Sequence, residues 1–428
     1  MNIAIWGYFL LFIVLILAEI PVAFAMLAPS LLYAVLNGDS FMMFAQKTAA
    51  AYADFNMLAI PGFLFVGIFM NKLKLTDKIF VMAEKWVGHF LGGLAHANVL
   101  ASMIFAGMSG SSLADAGGLG AIEVKAMKEA GYDEYFSVAV TAASSTIGPI
   151  IPPSINFVVW AFLAQTSTLG MFIGGIIPGL LLGLSMMLFI VIMIKRMKIK
   201  VPTVKKSSWK DRLIYTYKAL PALGGPIILI GGILTGAFTP TECSVVAAAY
   251  LVLVSLLDKS FSFASLFEAL QASLISSAMV MALCATGLIF NWMIVTSGFI
   301  AQMSSLLLSL GSKSLVLFVL NLILLVMGCF IGNLQMLIMI APLLMSIALE
   351  LNLSLIHVGV MAVLAMTISI ITPPMAPALF VTAKATGVSF NKSLKYTVFL
   401  IIPLYITLML ITYFPKLVLW LPGLLGVV

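Results

Sequence analysis

The chain repeats itself. The run Thr146–Ser154, with Gly148, Pro149, Pro152 and Pro153, returns in altered form as Ser369–Pro377, and Pro152-Pro153 and Pro373-Pro374 lie 221 positions apart. The same offset pairs Gly107 with Gly328 and the turn Gly131–Asp133 with Asn352–Ser354. An offset of 220 pairs Asp39–Phe41 with Lys259–Phe261, and Gly67 and Asn71 with Gly287 and Asn291. A near-constant offset over most of 428 residues predicts two related halves, a pattern expected of secondary transporters.

The solvent of those halves follows from composition. Hydrophobic residues make up 63% of the chain and charged residues 9%, against about 25% charged in a soluble domain. Such a chain cannot cover a water-facing surface. Runs such as Met171–Ile194, Ala272–Ile289 and Tyr396–Tyr413 approach or exceed the roughly 20 residues that cross a bilayer as helix. The fold class is therefore an all-α polytopic membrane protein. A β-barrel would need short alternating strands. The N-terminus has no basic n-region or clear cleavage site and reads as a retained span, with residues 3–36 forming one bent span or two short ones. Cys243, Cys284 and Cys329 stand in apolar context without metal-ligand spacing and read as small buried hydrophobes.

The net charge of +7 is concentrated. Residues 195–218 hold nine Lys and Arg and one acid, Asp211, leaving the rest of the chain near −1. This is a positive-inside signature, so 195–218 is expected to be a cytoplasmic connector between halves 1–194 and 219–428. Walking outward from it, 135–165 runs from inside to outside and its counterpart 356–383 from outside to inside. The halves are thus expected to be inverted repeats. Each should contain an interfacial arm helix (38–54, 259–271), a re-entrant hairpin (94–130, 315–350) and a broken helix (135–165, 356–383).

The breaks are where chemistry is expected. Pro149, Pro152 and Pro153 remove N–H donors and clash with preceding carbonyls. The freed carbonyls, with Ser and Thr hydroxyls, are hard oxygen ligands suited to Na⁺, while half-helix N-termini suit an anion. The hairpin tip Ser109–Asp115 offers hydroxyls and N–H groups. Asp115 is an intramembrane acid, open to roles as Na⁺ ligand, proton carrier or hairpin cap. Thr239 and Glu242, with Glu19 at the matching position, read as helix caps. His89, His96 and His357 show no ligand spacing. Arg196 and Arg212 both lie in the connector, so no guanidinium clamps a carboxylate in the membrane. Lys384 reads as the cytoplasmic end of the second broken helix. There is no phosphate loop for direct use of ATP and no reactive pair for an enzyme.

Five motifs in order carry a family resemblance. They are Pro61 in its Ala-Ile-Pro-Gly-Phe setting, the hairpin Ser109–Asp115, Gly148–Ser154, Phe238–Glu242 and Ile371–Pro374. Together they resemble the large membrane subunit of TRAP transporters, the tripartite ATP-independent periplasmic transporters, over essentially the whole chain. The resemblance implies a bacterial or archaeal inner-membrane, Na⁺-coupled importer of organic acids such as C4-dicarboxylates, sialic acid or other sugar acids. It implies an elevator-type transport domain, a separate small four-helix membrane subunit and a periplasmic substrate-binding protein.

By matching motif, the resemblance also implies a first Na⁺ site at Ser109, Ser144, Ser145, Gly148 and Pro149. A second would lie at Gly328, Gly332, Thr372 and Met375, partly through carbonyls. The organic anion would bind between the hairpin tips, at Ser111, Ser112, Asp115 and Asn333. The second half departs from the family pattern at Gly332–Gln335 and Pro374–Pro377. The rival expectations are a stand-alone Na⁺- or H⁺-coupled carrier of an elevator fold, needing no binding protein, and a channel.

Overall fold

The computed structural model describes residues 3–202 and 204–427; the side chains of 3–5, 106–109 and 114 lie outside that description. All regular elements among the described residues are helices. In the first half they are α1 (Ile3–Leu17), α2 (Val22–Asn37), α3 (Met42–Ala53), α4 (Ala59–Lys72), α5 (Leu75–Val87), α6 (Gly93–Ser109), α7 (Ser112–Gly117), α8 (Leu119–Glu129), α9 (Glu134–Ser144), α10 (Ile155–Ala164) and α11 (Thr168–Met197). In the second half they are α12 (Trp209–Leu234), α13 (Pro240–Leu257), α14 (Phe263–Thr296), α15 (Phe299–Leu308), α16 (Lys313–Gly328), α17 (Asn333–Glu350), α18 (Leu355–Ser369), α19 (Pro377–Thr386), α20 (Phe390–Tyr413) and α21 (Lys416–Leu424).

Six of these, α11, α12, α13, α14, α17 and α20, are long and apolar enough to cross a bilayer. Their outward faces carry exposed Leu184, Leu188, Ile227, Leu253, Phe267 and Leu274. That is an apolar exterior suited to lipid rather than water.

Residues 3–36 form two helices, because the chain turns at Glu19 (φ 61°) and Pro21. Within 38–54 the chain forms α3, ended by Asp54, whose carboxylate accepts from the N–H groups of Asn56 (2.9 Å) and Met57 (3.3 Å). The axis then bends by 57° into the following helical segment, residues 56–72. The predicted second arm, 259–271, is not a separate element: from Phe263 it continues into the predicted span 272–293 as the 34-residue α14. No glycine or proline lies between Phe263 and Gly287, so nothing in the chain ends the helix there. Glu268 on this extension pairs with Lys72 of α4 (2.5 Å).

Thr239 and Glu242 form a capping box at the start of α13. Thr239 Oγ1 accepts from the Glu242 N–H (3.3 Å), and Glu242 Oε2 accepts from the Thr239 N–H (2.8 Å). At the basic connector, Arg212 is buried between the rings of Trp86 and Trp209, at 5.6 and 5.2 Å, which fastens the start of α12 to α5.

Packing divides the work. α14 lies against α2, α3 and α4, and α12 against α5 and α13. The broken helices cross over: α10 packs on α17, and α19 packs on α7. Trp160 on α10 is fully buried and donates from Nε1 to the carbonyl of Leu355 (3.0 Å). Gly359 lies flat beneath it, since a Cβ there would collide with the indole. One continuous apolar core joins residues of both halves.

Candidate functional site: two helix breaks around one cavity

The first break begins where α9 tightens into a 3₁₀ turn, Ser145–Ile147, and then abandons helical structure until Ser154 caps α10. Pro149, Pro152 and Pro153 enforce this, since none can donate to a preceding turn. The second break runs from α18 through Ile370–Ala376 to α19, with Ala376 in the left-handed region (φ 41°). Both prolyl pairs, Pro152-Pro153 and Pro373-Pro374, have cis peptide bonds.

A buried polar ladder braces the first break from α6. Ser102 donates to Ser144 Oγ (3.0 Å), Ser144 donates to Asn98 Oδ1 (2.7 Å), and Asn98 Nδ2 donates to Thr141 Oγ1 (2.7 Å). Ser145 donates to the Ala142 carbonyl (2.8 Å), which leaves its oxygen lone pairs open. Asn98 and Ser102 escaped the reading from sequence. Their signal was available, because they stand four apart in an apolar helix, opposite Thr141 and Ser144 three apart.

Asp115 is the acid at this break. It is 2% exposed. A Cβ added to Gly148 would come 2.6 Å from Asp115 Oδ2 and 3.3 Å from the Ser145 carbonyl oxygen. The Asp115 carboxylate thus lies against Gly148, whose own N–H donates to the Ser145 carbonyl (3.2 Å) to close the 3₁₀ turn. Asp115 does not line the central cavity with Ser111 and Ser112; one turn of α7 carries it past the tip and against the break. Glu123 on α8 is buried as well (1% exposed), with Oε1 lacking a hydrogen-bond partner.

At the second break the roles of hairpin and helix are exchanged. Gly328, at the end of α16, has no room for a side chain, because a Cβ there would overlap Ser369 Oγ from α18. Ser369 donates to the Met366 carbonyl (2.6 Å) and Thr372 to the Ile368 carbonyl (2.9 Å). Both hydroxyl oxygens keep lone pairs for a cation. Ser369 was also missed from sequence.

Between the breaks lies a cavity of about 450 Å³. From the first half it is lined by Ser111, Ser112, Pro149 and Asn156, and from the second by Ser276, Gly332, Asn333 and Gln335. Gly328 and Met375 also face it, whereas Thr372, Ser144, Ser145 and Gly148 lie outside its lining. Ser109 closes α6, and its side chain falls outside the described residues. No charged side chain lines the cavity among the described residues. A larger hollow of about 870 Å³ lies by Lys78, Tyr215 and Tyr250, on α5, α12 and α13. None of the break residues lines it, so the smaller cavity is the candidate site. No group of three or more His, Cys, Asp or Glu that could hold a metal occurs among the described residues.

An all-helical membrane protein with two broken helices, two hairpins and an uncharged cavity between them has the build of a secondary carrier. The family described as "Tripartite ATP-independent periplasmic transporter, DctM component" matches residues 9–417, and the chain belongs to it. It is 35% identical over 413 residues to the sialic acid TRAP transporter large permease protein SiaM of Vibrio cholerae, covering 96% of each chain. It is 36% identical over 402 residues to the C4-dicarboxylate TRAP transporter large permease protein DctM of Pseudomonas aeruginosa, covering 94% of each. Its fold is similar to the crystal structure of the Alcanivorax borkumensis YdaH transporter, with a TM-score of 0.59 at 14% identity over 88% of each chain. The chain is therefore a multi-pass transport protein of the large permease class, not an enzyme.

Proposed function

We propose that this chain is the large membrane subunit of a Na⁺-coupled tripartite importer of small organic anions in the inner membrane. A small four-helix membrane subunit and a periplasmic substrate-binding protein complete the system. The two halves are inverted repeats, and the hairpins with their broken helices move as an elevator against a scaffold that includes α14. The observation that carries this reading is the buried Asp115 carboxylate packed against Gly148 at the first break, beside a cavity with no cationic side chain among the described residues. A cation bound there draws the hairpin onto the break. The cavity then takes the anion between Ser111, Ser112 and Asn333. Coupling follows if the anion binds better when the Na⁺ sites are filled.

The test is uptake into proteoliposomes holding this chain and its small-subunit partner, under an inward Na⁺ gradient, with a panel of organic acids and with or without the binding protein. Uptake that requires both Na⁺ and the binding protein is the expected result. Uptake driven by Na⁺ or protons without that protein would replace it with a stand-alone carrier.

A further inference from the structure

Two unsatisfied polar atoms belong to residues that line the cavity. Ser112 Oγ, on a residue 4% exposed, and Asn333 Oδ1 are both buried without a hydrogen-bond partner, and both residues line the cavity. They come from opposite hairpins, one opening α7 and the other opening α17. A buried polar atom left unsatisfied costs about 1–3 kcal/mol, so the pair favours a ligand that reaches both. A hydroxyl can donate to Asn333 Oδ1 and can donate to or accept from Ser112. An ionised carboxylate can only accept, and so leaves Asn333 Oδ1 unsatisfied. Asn156, Ser276 and Gln335 extend the same neutral, hydroxyl-matching wall.

Charge sets the other half of the preference. Burying an isolated carboxylate is costly without a counter-charge. The cavity supplies no Lys or Arg among its described lining. The N-terminus of α17, whose N-cap Gly332 brings no side-chain cap, faces it and favours one negative group. This step rests on the functional reading above, in which bound Na⁺ is the positive charge beside the cavity. We infer that the cavity is built for polyhydroxylated monocarboxylates, the sugar-acid class, in preference to C4-dicarboxylates. Its volume of about 450 Å³ leaves room for such a ligand and its water.

The binding protein filters substrates first, so the test reads the membrane complex alone. The complex of this chain with its small subunit, in detergent, is heated with gluconate, glucuronate, succinate or fumarate, in Na⁺ or in K⁺ buffer. Gluconate and glucuronate are expected to raise the unfolding midpoint in Na⁺ but not in K⁺, with the dicarboxylates weaker by roughly tenfold in half-saturating concentration. Ser112→Ala and Asn333→Ala are expected each to weaken the gluconate response by roughly tenfold. The shift given by Na⁺ without any acid serves as their folding control. A succinate response at equal or lower concentration overturns the inference. So does a gluconate response indifferent to both variants, or no response to any acid while Na⁺ itself still stabilises. Absence of any Na⁺ effect overturns the Na⁺-coupled reading itself.

Discussion

Gly328 and Ser369 meet so closely that a methyl group on the glycine would occupy the place of the serine hydroxyl. This contact fastens the second hairpin to the second broken helix. Its counterpart at the first break is the approach of Asp115 to Gly148. In each case a glycine admits a polar side chain, but the glycine sits on the hairpin in one and on the helix in the other.

Gly328→Ala should therefore separate α16 from α18. The strain expected of an overpacked contact is about 1–3 kcal/mol. A lower unfolding midpoint and slower Na⁺-driven uptake are expected, with recovery when Ser369→Gly is added. If the single variant is as stable and active as the parent chain, the close approach has no bearing on transport.

Asp115→Asn keeps the shape of the side chain and removes its charge. The half-saturating Na⁺ concentration for uptake should rise by roughly tenfold or more, one pKa unit's worth of interaction being about 1.4 kcal/mol. An unchanged Na⁺ titration would remove Asp115 from the cation site.

The breaks were legible because proline chemistry is local: no partner elsewhere in the chain can restore the hydrogen bonds lost at Pro149, Pro152 and Pro373. The orientation of Asp115 was not legible. It depends on the rotation of the short α7 after Gly110 turns the chain in the left-handed region (φ 56°), and periodicity does not report that angle over six residues. Ser369 was hidden for a related reason. It stands at the offset of Gly148, so matching the two copies by residue type assigns the polar partner to the wrong strand of each contact. The continuity of α14 was overlooked because 259–271 reads as an amphipathic stretch beside a charge, whereas the absence of breakers after Phe263 governs the backbone.

Ser145→Ala and Thr372→Ala test the two breaks separately. Each removes one hydroxyl from a proposed Na⁺ site and should weaken Na⁺ dependence of uptake, with a larger loss when they are combined. Identical Na⁺ activation in both single variants and in the parent would defeat the assignment.

Thr239→Ala removes the capping box of α13, outside the cavity lining. The loss expected for an N-cap is about 1 kcal/mol. A lowered unfolding midpoint with an unchanged KM for the organic acid is the expected outcome; a change in KM would tie α13 to substrate handling.

The crossed packing of α10 on α17 and α19 on α7 has a consequence for how such a chain comes into being. Neither half finishes its own interior, since Trp160 of the first donates to Leu355 of the second. A ribosome releasing the chain at the basic connector would leave a partner-seeking fragment, with its last broken helix uncovered. Assembly must wait for the second half, so the insertion machinery has to hold an incomplete bundle until α17 arrives to close it.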